Sequence, residues 1–233
     1  METPRKLKMQ IRLKTLDKPK IERDPYNKYN STEQWIRITS GCSNNCPFCY
    51  EPTEIKQYPI PKIIRNYVKI MDMNILERSD LLDLFEKFRN IRVNNKVVYY
   101  ELICGIDFRK MNFDLALLLK SSRFKRIRLA WDFTLKDQYR IKDCIKYLLK
   151  AGFKSDSLMV FMVCNWKISY LDNLQKLDLC KIWRVQVADC YYDNQLSPNI
   201  IPSYWTGEEI KTFRKKTRKH NQLVRFGIDP NIK

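Results

Sequence analysis

Histidine is all but missing from this chain: His220 stands alone among 233 residues. Outside the group at 42 to 49 there is no second close pair of cysteines, so the four closed ligands of a structural zinc site are not on offer. Nothing approaches the unbroken apolar stretch of about 18 residues that a membrane span requires, and no membrane insertion is expected. The opening Met-Glu-Thr-Pro-Arg-Lys-Leu-Lys also lacks the apolar stretch of a secretory leader, which argues against a disulfide framework. Free thiols in a reducing cytoplasm are the expectation. Acids are short as well. Lys and Arg number 44 against 26 Asp and Glu, a net charge of +18 that exceeds what solubility needs. Such an excess points to a polyanionic partner, nucleic acid first and an acidic protein or membrane surface second.

What the chain does have is a run of three thiols, Gly41-Cys-Ser-Asn-Asn-Cys-Pro-Phe-Cys-Tyr50, placed directly after a strand-like segment. An iron-sulfur cluster takes four cysteine thiolates as a rule, so a loop offering Cys42, Cys46 and Cys49 leaves one iron open to another ligand. An open position marks a metal site that reacts rather than one that staples a fold.

This C-x3-C-x2-C spacing, with aromatic Phe48 before the third cysteine, resembles the signature of the radical S-adenosylmethionine (radical SAM) superfamily. The resemblance implies a 4Fe-4S cluster on Cys42, Cys46 and Cys49, with S-adenosylmethionine chelated at the fourth iron. It implies an enzyme that cleaves S-adenosylmethionine reductively into methionine and a 5'-deoxyadenosyl radical, which then abstracts hydrogen from substrate. An electron donor such as flavodoxin or ferredoxin is implied too. The fold implied is a partial (β/α)6 barrel of the TIM type.

Hydrophobic periodicity is consistent with that fold. Residues 1 to 34 are polar and basic and read as an extension. Strands are predicted at Trp35 to Thr39, Asn66 to Asp72, Val97 to Cys104, Arg126 to Trp131, Leu158 to Cys164 and Ile182 to Ala188, with amphipathic stretches between them. Ser79 reads as the N-cap of a helix carrying Leu81, Leu82, Phe85 and Phe88 on one face. Ile141, Cys144, Ile145, Leu148 and Leu149 give another helix, stopped at Gly152. Thr206-Gly-Glu-Glu209 is a capping box opening a basic helix, with a last strand expected over Gln222 to Ile228. The barrel thus spans 35 to 205, and 206 to 233 packs on it; no appended domain is expected. Alternation alone would also permit a doubly wound sheet.

Chemistry gathers at the C-terminal ends of parallel strands, because the loops there vary without disturbing the core. Those positions hold Asp72 and Asn74 after strand two, Asp107 and Arg109 after three, Asp132 after four, Asn165 after five and Asp189 after six. Asp72-Met-Asn74 stands where the family often has a Gly-Gly-Glu-type segment at the amino group of S-adenosylmethionine. An Arg suits the methionyl carboxylate and an Asp the ribose hydroxyls, and family experience puts an adenine contact near Val187 to Asp189. Together with Phe48 these are the candidate cofactor contacts. Cys104, Cys164 and Cys190 also end strands and leave open a second cluster or a hydrogen donor, although buried cysteine more often serves as a small hydrophobe. Cys144 reads as core, and His220 receives no catalytic role.

Lys211, Arg214, Lys215, Lys216, Arg218 and Lys219 form an acid-free helical run, with Tyr191, Tyr192, Tyr204 and Trp205 before it. That mixture suits nucleic acid, which is the first expectation for the substrate. Two rival readings stand beside it: an activase that places a radical on a partner protein, and a non-catalytic iron-sulfur module that binds nucleic acid.

Overall fold

The computed structural model describes residues 24–192 and 204–228. Its frame is a curved sheet of β1 (Tyr26–Tyr29), β2 (Gln34–Arg37), β3 (Tyr67–Ile70), β4 (Tyr99–Leu102), β5 (Arg128–Ala130), β6 (Met159–Cys164) and β7 (Gln186–Tyr191). Pairing is parallel from β2 to β3 to β4 and from β5 to β6 to β7, while β1 adds antiparallel to β2. A parallel bridge between Tyr100 and Phe124 joins the two halves, backed by Lys125 N–H donating to the Tyr100 carbonyl at 2.8 Å. Strands β2 to β7 therefore follow one another in chain order. A doubly wound sheet would reverse direction at a switch point. This one does not, and β1 and β7 have no strand partner on their outer edges among the described residues, so the barrel is partial.

The helices are α1 (Leu81–Asn90), α2 (Phe113–Ser121), α3 (Gln138–Lys150), α4 (Tyr170–Trp183) and α5 (Gly207–Arg225). Along each strand one alternate set of residues faces this helix layer: Ile36 in β2, Val68 and Ile70 in β3, Tyr100 and Leu102 in β4, Leu129 in β5, Val160 and Met162 in β6, Val187 in β7, all buried. They meet Phe85 and Phe88 of α1, Leu119 of α2, Ile141, Cys144 and Leu148 of α3, Leu177 of α4 and Phe213 of α5 in a single core. Burial of this kind supplies most of the stability. Among the described residues no helix is long and apolar enough to cross a membrane.

Several boundaries differ from the sequence reading. Tyr26–Tyr29, inside the supposed extension, is a strand held by the Gln34 amide on Asn27 Oδ1 at 2.8 Å; residues 1–23 lie outside the described part. The expected strand over Val97 to Cys104 splits into Lys96–Val97, hairpinned with Arg92–Val93, and β4 proper. Asp80 rather than Ser79 holds the N-cap position of α1, its carboxylate taken by Arg78 instead of capping the helix, and Leu84 is buried while Leu82 faces water. The sixth strand starts at Gln186, because Ile182 still belongs to α4, whose inner face includes Asn173 and Lys176 and so hides its periodicity.

The last strand expected over Gln222 to Ile228 is absent. Val224 and His220 continue the buried stripe of Phe213 and Thr217 at helical spacing, so α5 runs on to Arg225. Its capping box at Thr206 and Glu209 is formed as read. Asn221 brackets Val187, accepting from its N–H at 2.8 Å and donating to its carbonyl at 2.7 Å, so α5 is the helix that follows the sixth parallel strand. His220 is buried against the Val185 carbonyl at 2.7 Å, and burial lowers its pKa, so it sits neutral in the core.

Candidate functional site

The cysteine loop leaves the sheet just past β2. Residues Thr39–Ser40 pair with Lys56–Gln57, which folds the chain after the cysteines back on itself and sets Glu54 beside Gly41. Gly41 has φ +84°, and its N–H donates to Glu51 Oε1 at 3.0 Å. Cys49 N–H closes a turn on the Cys46 carbonyl at 2.9 Å, and Asn45 inside the loop takes φ 45°, a left-handed position that Asn tolerates.

Two acids from neighbouring strand ends hold the loop from outside. Glu77 accepts from Ser43 N–H at 2.9 Å and Ser43 Oγ at 2.5 Å, and Lys110 donates to it at 3.0 Å. Burial pushes the Glu77 carboxyl up, but these donors outweigh it and hold the pKa below the ordinary value. Asp107 accepts from Asn44 Nδ2 at 3.0 Å and is gripped by both Nε and Nη2 of Arg109, at 2.8 and 2.9 Å. It too stays below the usual range, since these bonds overcome its burial. Loop, β3 end and β4 end are thereby one assembly.

The assembly encloses a cavity of about 310 Å³ at the C-terminal ends of the strands. Of the residues expected from sequence, Cys42, Cys46, Cys49, Phe48, Asn74, Asp107, Arg109 and Asp132 all line it. Asn74 Nδ2 lies 3.5 Å from Cys42 Sγ. Phe48 packs on Phe133 and Trp166, with ring centroids 5.5 and 6.1 Å apart. Cys104 lines the cavity as well.

Three expected contacts lie elsewhere. Asp72 is buried under β2, accepting from Ile38 N–H at 2.9 Å. Asn165, at φ 55°, accepts from Tyr204 N–H and Trp205 N–H at 3.0 and 3.1 Å and so ties the end of β6 to the start of α5. Asp189 senses Arg214 and Arg218 of α5, although burial keeps its pKa above the ordinary value. The Val187 to Asp189 stretch is thus engaged with α5. Cys164 and Cys180 are buried, as is Cys144, whereas Cys190 is exposed.

Asp72 yields a pH prediction. Burial pushes its carboxyl from 3.8 to about 6 against the bond from Ile38. Between those values the folded chain holds a proton that the unfolded chain has released, so this group's contribution to stability falls as pH rises from about 4 to 6. Asp72→Asn keeps an acceptor and cannot ionise. It should match wild type at pH 4 and exceed it by about 1 to 3 kcal/mol at pH 7.5, read from urea midpoints.

Sequence reasoning gave no hint of Lys176. It is fully buried on α4 behind the cavity and donates to the carbonyls of Trp131 and Phe133 at 3.1 and 2.6 Å, the two residues flanking Asp132. Burial lowers the Lys176 pKa to about 8, with Asp132 opposing the fall. Burial likewise raises Asp132 to about 6, Lys176 acting against it and Asp107 with it. The lysine fixes the turn that carries Asp132. Lys176→Met keeps the bulk but strands both carbonyls, so it should cost about 2 to 3 kcal/mol in chemical denaturation.

The thiols suit a cationic cluster. Cys46 is pushed up to about 11, first by burial and then by Cys49, Asp132 and Cys42, with Arg109 pulling the other way. Groups that resist one another's ionisation are a site for positive charge. Among the described residues no three Cys, His, Asp or Glu side chains converge to hold a single metal ion. A cluster that takes one thiolate per iron needs no such convergence.

No protein-family model and no curated protein matches the chain. Solved structures do. The radical S-adenosylmethionine methyltransferase TsrM from Kitasatospora setae, with cobalamin and a 4Fe-4S cluster bound, aligns with a TM-score of 0.54 at 11% identity, over 67% of this chain and 36% of that one. Coproporphyrinogen III oxidase HemN from Escherichia coli, a radical SAM enzyme, aligns at 0.49 and 13% identity, over 69% of this chain and 41% of that one. The chain thus spans little more than a third of TsrM. The likeness to TsrM establishes the fold, a partial barrel shared with a radical SAM enzyme.

Proposed function

We propose that this chain is a radical SAM enzyme, with Cys42, Cys46 and Cys49 holding a 4Fe-4S cluster and S-adenosylmethionine occupying the cavity beside them. The observation that supports this most is the placing of three thiols on one pinned loop at the C-terminal mouth of a partial barrel, in a cavity that Arg109 and Asp132 also line. When bound and reduced, the cluster would supply the electron that splits S-adenosylmethionine into methionine and a 5'-deoxyadenosyl radical; a donor of the flavodoxin or ferredoxin kind would recharge it.

The chain's own residues do the holding. Asn74, at the cavity wall next to Cys42, offers an amide to the amino end of the cofactor. Arg109 lines the cavity with half its side chain in solvent, and because Asp107 takes its Nε and Nη2, Nη1 is the donor left for the carboxylate. Asp132, held by the Lys176 turn, is an acceptor for hydroxyl groups. Phe48, Phe133 and Phe108 give the cavity apolar walls that limit water.

Anaerobic reconstitution with iron and sulfide, followed by reduction and electron paramagnetic resonance, tests the reading. The reduced cluster's signal should change when S-adenosylmethionine is added. A cluster that loads normally but whose signal ignores S-adenosylmethionine would refute the open iron.

A further inference from the structure

The outer face of α5 is strongly basic past its first turn. From Ile210 to Arg225 the helix holds no acid, and Lys211, Lys215, Arg218, Gln222 and Arg225 recur at helical spacing, all exposed, while Phe213, Thr217, His220 and Val224 face the core. At 1.5 Å per residue this stripe is about 21 Å long, with one long polar side chain per turn. A shallow groove of about 480 Å³ runs along it. At its C-terminal end Arg225 joins Arg126 and Arg128 around a second cavity of about 550 Å³, where Asp156 is the one acid.

The other end of the stripe leads toward the cysteines. Arg214 sits over the Tyr191 ring, 4.2 Å from its centroid. Just before α5, the partly exposed ring of Tyr204 meets Trp166 at 5.6 Å, and Trp166 in turn meets Phe48 of the cysteine loop at 6.1 Å. Beyond the first turn, which carries Glu208 and Glu209, a row of cations thus runs along α5 away from aromatic rings that lead to the thiol cavity.

We propose that the α5 stripe is the docking track of a single-stranded nucleic acid, its phosphates on Lys211, Lys215, Arg218 and Arg225 and a base stacked at Tyr204. Lys211, Lys215 and Arg218 at one cation per turn, with Arg225 two turns further on past Gln222, suit a flexible chain with one negative charge per unit, and a ring near the start of the track matches an unstacked base. A rigid duplex cannot bend from the helix face into the aromatic end, and a single strand can. The docking stands on charge and geometry alone; that the docked strand is substrate for the cysteine cavity rests on the radical SAM reading above.

The test uses the full chain without iron. Fluorescence anisotropy measures binding of a fluorescein-labelled single-stranded RNA of about 12 nucleotides, with unlabelled single-stranded DNA, duplex and anionic phospholipid vesicles as competitors. The double variant Lys215→Glu/Arg218→Glu should weaken binding at least tenfold at 0.1 M salt, and the slope of log affinity against log salt should flatten by about 1.4, two phosphate contacts at about 0.7 each. Tyr204→Ala should weaken it threefold or more without changing the slope. The same charge change on α3, Lys142→Glu/Lys146→Glu, should leave affinity within twofold. Both α5 side chains are exposed, so melting should be unchanged; Lys215→Gln/Arg218→Gln, a milder change, should weaken binding at least threefold. Equal loss in the α3 control, unaltered binding in the α5 variants, or better competition by duplex or vesicles than by single strands would overturn the proposal. Because no cluster enters the assay, failure of the cysteine reading leaves this result untouched, and the reverse holds as well.

Discussion

Cys46→Ala should load no stable 4Fe-4S cluster and form no 5'-deoxyadenosine, where wild type takes up on the order of four irons per chain. The loss is total because a cluster already lacking a fourth protein ligand has no thiolate to spare. Cys46 sits centrally, close enough to feel Cys42, Cys49 and Asp132, so its removal leaves only the two thiols at the ends of the run. Stability of the iron-free chain should hardly change, because the Cys46 side chain is partly exposed at the mouth rather than in the core. Iron and sulfide assays beside a urea melt separate the two effects. A fold lost together with the iron would assign the thiol to packing instead.

Gly41→Ala should be the costliest single change on the loop, lowering stability by about 3 to 5 kcal/mol and cluster occupancy severely. Two independent causes add. The φ of +84° is a conformation that alanine adopts only under strain, worth about 1 to 3 kcal/mol, and the new Cβ would lie 1.8 Å from the Glu54 carbonyl oxygen. That oxygen is backbone, pinned by the short hairpin of Thr39–Ser40 with Lys56–Gln57, so neither side can yield cheaply. The strain would act on the residue directly before Cys42. Circular dichroism melts of the iron-free variant check the first effect, and iron content after reconstitution checks the second; a variant as stable as wild type would mean that the hairpin gives way.

The parts legible in the sequence are those encoded locally. Three thiols within eight residues share a loop whatever surrounds them, and strand-then-helix alternation gave the parallel elements, while the resemblance carried by the thiols chose the barrel order over a doubly wound sheet. Strand-end position was enough to bring Asn74, Asp107, Arg109 and Asp132 to one cavity. It failed for Asp72, and the reason was present in the pattern: Asp72 lies two residues past Ile70 and four past Val68, both buried toward the helices, so strand periodicity already put it on the outer face.

Other misses had no local signal. Lys176 reads as a surface lysine on any helix, and the carbonyls of Trp131 and Phe133 with Asp132 between them, more than forty residues away in the chain, make a buried amine tolerable there. Asn165 turned toward Tyr204 and Trp205 because the chain returns to the end of β6 before α5, a tertiary event. Gln222 to Ile228 was too short for its apolar content to separate strand from helix, and the continued burial of His220 and Val224 against β7 decided it.

The activity proposed for the cavity beside Cys42, Cys46 and Cys49 is reductive cleavage of S-adenosylmethionine. The most direct measurement is 5'-deoxyadenosine formed by the anaerobically reconstituted chain with dithionite and S-adenosylmethionine, compared with Cys46→Ala under the same conditions. Wild type should give product and the variant none. A fully loaded 4Fe-4S wild type that yields no 5'-deoxyadenosine, with single-stranded nucleic acid also supplied, would contradict it and leave an iron-sulfur binding module in its place.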